Sequence, residues 1–200
     1  MDFAAAVLDG GATALQLRAK QVPGRWLLET ASEIVRRAER SGALLIVNDR
    51  ADIARLAGAG GVHVGQDDLS PAAMRLILGD RAVVGLSTHT EPQLTAAVRE
   101  PISYAAVGPV FGSATKETGY QPLGLQHVRH AAAIAAAHRI PLVAIGGITL
   151  ERAAEVLDAG ASSVAVVGDL LRAGDPARRV RRYLDLLGRL RSSESRGDPI

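Results

Sequence analysis

Seven short apolar runs, each followed by a stretch of helical periodicity, narrow the folds open to this 200-residue chain more than any other feature. The runs are Ala14–Arg18, Ala43–Asn48, Gly61–Gly65, Ala82–Ser87, Tyr104–Phe111, Leu142–Gly147 and Val164–Gly168. Helical patterns fall near Trp26–Arg40, Ala51–Ala57, Pro71–Leu78, Glu91–Val98, Leu123–Ala137 and Leu150–Asp158, with a last one near Pro176–Leu190. Strands that are nearly all apolar are buried on both faces, which calls for a parallel sheet covered by helices. A closed (β/α) barrel needs eight strands. Here a helix-like piece, Phe3–Leu8, precedes the first of seven. The expected fold is α/β: a TIM (β/α)8 barrel lacking its first strand in this chain. An open doubly wound sheet is the alternative and needs no eighth strand.

Length and composition suit one core. Two hundred residues predict one barrel domain over 1–191, with the polar residues 192–200 as a disordered tail. Hydrophobic residues make up 48% and aromatics only 3%, which favours helices packed on a sheet over an aromatic-rich sandwich. The absence of cysteine excludes disulfides, zinc–thiolate sites and a thiol nucleophile. Net charge is +2, and seven arginines cluster between Arg172 and Arg191. That cluster reads as a solvated helix face rather than a nucleic-acid surface, since no RNA-binding aromatic pattern accompanies it. There is no secretory signal and no apolar run of bilayer length, so no membrane partner and a cytoplasmic location are expected.

The first run, ALQLRAK, carries polar residues where an apolar strand should have none. Alternate strand residues share a face, so Gln16, Arg18 and Lys20 point one way and Leu15, Leu17 and Ala19 the other. Burying two cations requires an anion or compensating carboxylates, which makes the strand a phosphate or diphosphate grip. The plainer reading is a half-exposed edge strand.

Barrel enzymes place their sites at the carboxyl ends of the strands. Those ends read QLRAK, VNDR, VHVGQDD, GLSTHT, GPVFGSATK, IGGIT and VVGD. Asn48–Asp49 and Asp68 would bring two carboxylates to one rim, a hard-oxygen set suited to magnesium with water and phosphate. Asp67 rivals Asp68. The two carboxylates could equally be an acid and base pair, or helix caps, with Asp49 capping the helix that follows. Gly146–Gly147 and Gly168 end the last two strands, where barrels often hold phosphate on backbone N–H groups, with the helix opening at Thr149 beside them. Their plain alternative is tight turns. Ser113, Thr115 and Lys116 offer hydroxyls and an ammonium on one glycine-containing loop, suited to phosphate or to an ordinary surface loop.

The histidines carry less. His127 and His130 lie three apart on a helix with no third ligand evident, so surface positions are expected. His63 is expected to point into the barrel as a satisfied core histidine, and His89 lies near the rim. Trp26 and Tyr104 read as packing residues.

Taken together, QLRAK, NDRADIARLAGAGGVHVGQDDL, GLSTHT, GPVFGSATK and AIGGIT followed by AVVGDL resemble thiamine phosphate synthase, in order, from about Ala14 to Leu170. The combination is specific, although IGGI alone occurs in many phosphate-binding barrels. The resemblance implies a TIM barrel. It also implies a magnesium-dependent transferase that joins 4-amino-2-methyl-5-hydroxymethylpyrimidine diphosphate to thiazole phosphate, giving thiamine phosphate and diphosphate. By the same resemblance Gln16, Arg18, Lys20 and Asn48 would hold the pyrimidine diphosphate, with Ser87 and Lys116 completing that site. Asp49 and Asp68 match the magnesium ligands. Ser113 to Thr115, Gly147, Val167 and Gly168 would hold the thiazole phosphate. Of these, Arg18, Lys20, Ser87 and Lys116 would carry catalysis, because the implied mechanism is dissociative and charge grows on departing diphosphate.

Three departures from the family pattern stand out. Gly168 replaces the usual serine, keeping the backbone N–H but losing a hydroxyl. Ser113 replaces the usual threonine. The opening strand is missing, which leads to two expectations: a true start upstream of this one, or a barrel with exposed edges that associates into homo-oligomers. Two rivals follow. A thiazole tautomerase-like relative on the same scaffold would lack the QLRAK grip and carry histidine where Pro109 stands. A non-catalytic phosphoryl-ligand-binding barrel would bind without turnover.

Overall fold

The computed structural model describes residues 2–112 and 121–194, with side chains through residue 189. Helix α1 (Asp2–Asp9) leads into β1 (Ala14–Leu17), and strand–helix alternation follows: α2 (Gly24–Ser41), β2 (Leu44–Asn48), α3 (Ala51–Ala57), β3 (Gly61–Val64) and α4 (Pro71–Leu78). The chain continues through β4 (Val83–Thr88), α5 (Glu91–Ala97), β5 (Tyr104–Val107), α6 (Gly124–Ala137), β6 (Leu142–Ile145), α7 (Leu150–Asp158), β7 (Ser163–Ala165), α8 (Gly168–Arg172) and α9 (Pro176–Glu194). All seven strands are parallel and lie in sequence order, β1 to β7. A doubly wound sheet reverses its strand order at a switch point. This sheet does not, so it is a barrel wall, open because β1 and β7 pair with no eighth strand among the described residues.

Burial follows position in that wall. Every residue of β3, inside the wall, is buried, whereas β1 alternates exposed and half-buried residues and β7 is half-buried throughout. Register sorts the side chains into two faces. Leu17, Val47, Val62 and Val84 stand side by side across β1 to β4 on the helix-facing side. There they join one apolar cluster under α2 and α3 and a larger one reaching α9, with Leu45, Met74, Leu94 and Leu142 fully enclosed. Close strand contact is built into β3: a Cβ on Gly61 would lie 2.1 Å from the Val83 carbonyl oxygen, so only glycine fits.

Several ends differ from the sequence expectation. β5 stops at Val107, before the cis Gly108–Pro109 bond, because Pro109 has no N–H to continue the ladder. The backbone then hooks onto β6 instead, Val110 N–H donating to Ile145 O at 2.9 Å and Phe111 N–H to Gly146 O at 3.0 Å. β7 ends at Ala165, and Gly168 opens α8, a helix absent from the sequence reading. Ser70 caps α4 as expected, accepting from Ala73 N–H ahead of Pro71. Helix α9 runs through Glu194. Trp26, expected to pack in the core or between helix and sheet, is instead 47% exposed in the first turn of α2.

Candidate active site

The interior face of the wall is where the polar residues gather. Gln16 lies beside Ile46 and Asn48 beside His63, while His63 is level with Gly85, two residues before Ser87. Gln16, Asn48, His63 and Ser87 therefore occupy one face, progressing toward the carboxyl ends. His63 is 7% exposed, and its ring bonds Ser87 Oγ through Nε2 and the Tyr104 hydroxyl through Nδ1, both at 2.8 Å. A neutral imidazole donates from one nitrogen and accepts at the other, so it fixes both hydroxyls. Burial pushes the Tyr104 phenol up to about 12, keeping it a neutral hydroxyl. Gly85 makes room: a Cβ there would fall 2.2 Å from the Tyr104 ring. The core role expected for His63 holds, and it braces the hydroxyl of Ser87, a candidate site residue.

The cationic row lies at the open edge. Gln16, Arg18 and Lys20 are exposed, so the cost of burying them, on which the sequence reading leaned, does not arise. The edge-strand alternative describes their exposure. Lys20 nevertheless finds a carboxylate, Asp49, at 2.9 Å, and the two line a small cleft with Asn48 and Arg50. Asp49 is not the cap of α3. It sits at φ 63°, its N–H donating to His63 O, while Arg50 precedes the helix and forks onto Asp52. The left-handed turn aims the Asp49 carboxylate back at Lys20 instead of along α3. Asp68 accepts from Gly65 N–H at 2.7 Å, closing the loop after β3, and Gln66 donates to Ser87 O at 2.7 Å.

The last two strand ends meet behind this rim. Gly147, at φ 64°, lies so close to the loop after β5 that a Cβ would sit 2.5 Å from Gly112 O. Across that contact Arg152 stacks on the Phe111 ring, 3.2 Å from its centre. Val167 is 49% exposed, immediately before Gly168. Thr149 precedes α7 as expected, but its side chain makes no capping bond. Asp169, at the start of α8, accepts from Arg179 and from the Tyr183 hydroxyl. Burial would raise the Asp169 pKa, but Arg179 and Tyr183 outweigh it and hold the carboxyl below its usual range. Burial and the bond to Asp169 raise the Tyr183 phenol.

A profile of the thiamine monophosphate synthase family matches residues 1–170. The chain belongs to that family. It is 45% identical to the thiamine-phosphate synthase of Koribacter versatilis over 92% of this chain and 85% of that one. It is 40% identical to the thiamine-phosphate synthase of Chlorobium luteolum, covering 97% and 90%. The solved structure of thiamine phosphate pyrophosphorylase from Pyrococcus furiosus superposes with a TM-score of 0.85 at 28% identity, covering 94% of this chain and 89% of that one. As a member of this synthase family the chain is a transferase of thiamine biosynthesis.

Ser113, Thr115 and Lys116, singled out in the sequence, lie outside the described residues. Among the described residues no group of three or more acidic or histidine side chains could by itself hold a metal, and no helix is long and apolar enough to cross a membrane. His130 pairs with Glu91 at 3.0 Å at the surface as expected. His127 is instead half-buried, its Nε2 enclosed without a hydrogen-bond partner among the described residues; burial and then His130 lower its pKa. His89 braces the rim, its Nδ1 donating to Gly108 O. Sequence reading missed the roles of Tyr104 and Arg179. Tyr104 could have been found from the glycine at 85, which leaves space for a large neighbour. Arg179 and Tyr183 stand four apart on α9, a spacing that puts both on one face.

Proposed function

We propose that the rim binds 4-amino-2-methyl-5-hydroxymethylpyrimidine diphosphate and a thiazole phosphate and joins them into thiamine phosphate, in the cytoplasm and within one barrel domain over 1–191. The observation that carries this is the shared interior face of Gln16, Asn48 and Ser87, with the Lys20–Asp49 pair at its mouth. In this reading Gln16, Arg18, Lys20, Asn48, Ser87 and Lys116 bind the pyrimidine diphosphate. Ser113, Thr115, Gly147, Val167 and Gly168 bind the thiazole phosphate.

Asp49 and Asp68 suit magnesium by donor chemistry. They are hard carboxylates on loops after successive strands, and neither commits both oxygens among the described residues. Magnesium needs only one or two carboxylates when waters and substrate phosphates complete its shell. When bound it would neutralise charge on the diphosphate oxygens.

The chemistry asked of the protein is then positioning and electrostatics. The bond between the pyrimidine methylene carbon and the diphosphate oxygen breaks, its electron pair leaving with oxygen. The thiazole nitrogen lone pair forms the new carbon–nitrogen bond. No proton moves, so no general base is required. Arg18 and Lys20 meet negative charge that grows on the leaving oxygen, and they stabilise the transition state more than the ground state. The Ser87 hydroxyl is held in place by His63 and needs no reorganisation as the bond breaks.

Purified protein given both substrates and magnesium is expected to release one diphosphate per thiamine phosphate formed. Substrate binding without release would instead indicate a phosphoryl-ligand-binding barrel. Isomerised thiazole without coupling would indicate a tautomerase.

A further inference from the structure

We infer that Arg179 is a positioning residue that locks the Gly146–Gly147 and Val167–Gly168 loops to one another, presetting the backbone donors of the phosphate subsite. The inference rests on the proposed reading of those loops as the thiazole phosphate site.

Arg179 belongs to the C-terminal arginine cluster, but unlike the exposed Arg172, Arg178, Arg181 and Arg182 it is largely shielded, its side chain 16% exposed. Its guanidinium forks onto Asp169 at 2.8 and 3.0 Å. The same Nη2 reaches both oxygens of Glu151 at 2.8 and 3.1 Å. Asp169 follows Gly168 directly, and Glu151 stands four residues after Gly147. One planar cation thus ties the chain just beyond each glycine loop to α9. Asp169 also accepts from the Tyr183 hydroxyl at 2.8 Å, a second tie between the start of α8 and α9.

The chemistry requires arginine. A fork of fixed donors can serve two carboxylates at once, whereas an ammonium is a single point of charge. Arg179 also offsets two carboxylates that would otherwise stand next to an incoming phosphate dianion. Misplacement of binding groups by about 1 Å can cost on the order of 100-fold in rate. Loosening this tie should therefore fall on the phosphate substrate alone.

The test is steady-state kinetics of the full chain with each substrate varied in turn. Arg179→Met is expected to raise the KM for thiazole phosphate at least about tenfold while the KM for the pyrimidine diphosphate stays within about twofold. Arg179→Lys, which restores charge without the fork, should fall between the two. Glu151→Gln, an exposed change that spares the Asp169 bonds, should raise the same KM by a smaller factor and serves if Arg179→Met does not fold. Unchanged KM values, or equal rises in both, would overturn the inference. Direct binding of thiazole phosphate separates the two levels of the argument. If Gly147→Ala binds it as well as the parent protein does, the subsite reading fails. If Gly147→Ala loses binding while Arg179→Met keeps it, only the role of Arg179 fails.

Discussion

Asp49→Asn is expected to lower kcat by roughly 100-fold, about 3 kcal/mol of transition-state stabilisation, with the melting temperature nearly unchanged. Asparagine is the informative replacement. Asp49 sits at φ 63°, a conformation that asparagine adopts readily and alanine does not, so Asp49→Ala would add backbone strain to the loss of charge. The Lys20 pair is half exposed and contributes at most about 1 kcal/mol to stability, so its loss should not unfold the wall. The catalytic cost has two sources: the carboxylate proposed to hold magnesium disappears, and Lys20 loses the group that orients it. Diphosphate release under saturating substrates, alongside thermal denaturation, checks both. A kcat within a few-fold of the parent would remove Asp49 from the mechanism.

Gly147→Ala should be nearly as damaging, for a steric reason. The added methyl would occupy a left-handed backbone position, costing about 1–2 kcal/mol, and would press within 2.5 Å of Gly112 O and 2.8 Å of the Phe111 Cβ. Those contacts are backbone atoms and a Cβ fixed to the backbone, so no rotamer change moves them away. The loop must move instead, taking the Gly147 N–H with it. The KM for thiazole phosphate is expected to rise on the order of 100-fold, with a much smaller change for the pyrimidine substrate. Equal effects on both substrates would mean that the glycine serves only folding.

The architecture was legible because the sequence pattern that specifies it is local. Apolar runs such as LLIVN and GVHV can only be buried strands, and Ser70–Pro71 marks a helix start by its own chemistry. Strand ends were less legible: Pro109 ends β5 by lacking a donor, and only the fold shows that Val110 and Phe111 then bond β6. Period-two alternation placed Gln16 with Arg18 and Lys20 on one face, whereas Asn48 was read from its strand end and Ser87 came only from the family resemblance. Partners far apart in sequence did not. Lys20 with Asp49, His63 with Ser87 and Tyr104, and Arg179 with Asp169 and Glu151 meet only because strand register and helix packing bring them together. The charge argument for ALQLRAK rested on burial, and the open edge instead leaves Arg18 and Lys20 in water.

The central claim is that this rim stabilises anionic charge while a carbon–oxygen bond breaks. Crystals soaked with inorganic pyrophosphate and magnesium test it most directly. The account predicts pyrophosphate against Gln16, Arg18, Lys20, Asn48 and Ser87, with the metal on Asp49 and Asp68. Pyrophosphate and metal bound together elsewhere on the molecule, with those side chains untouched, would contradict it.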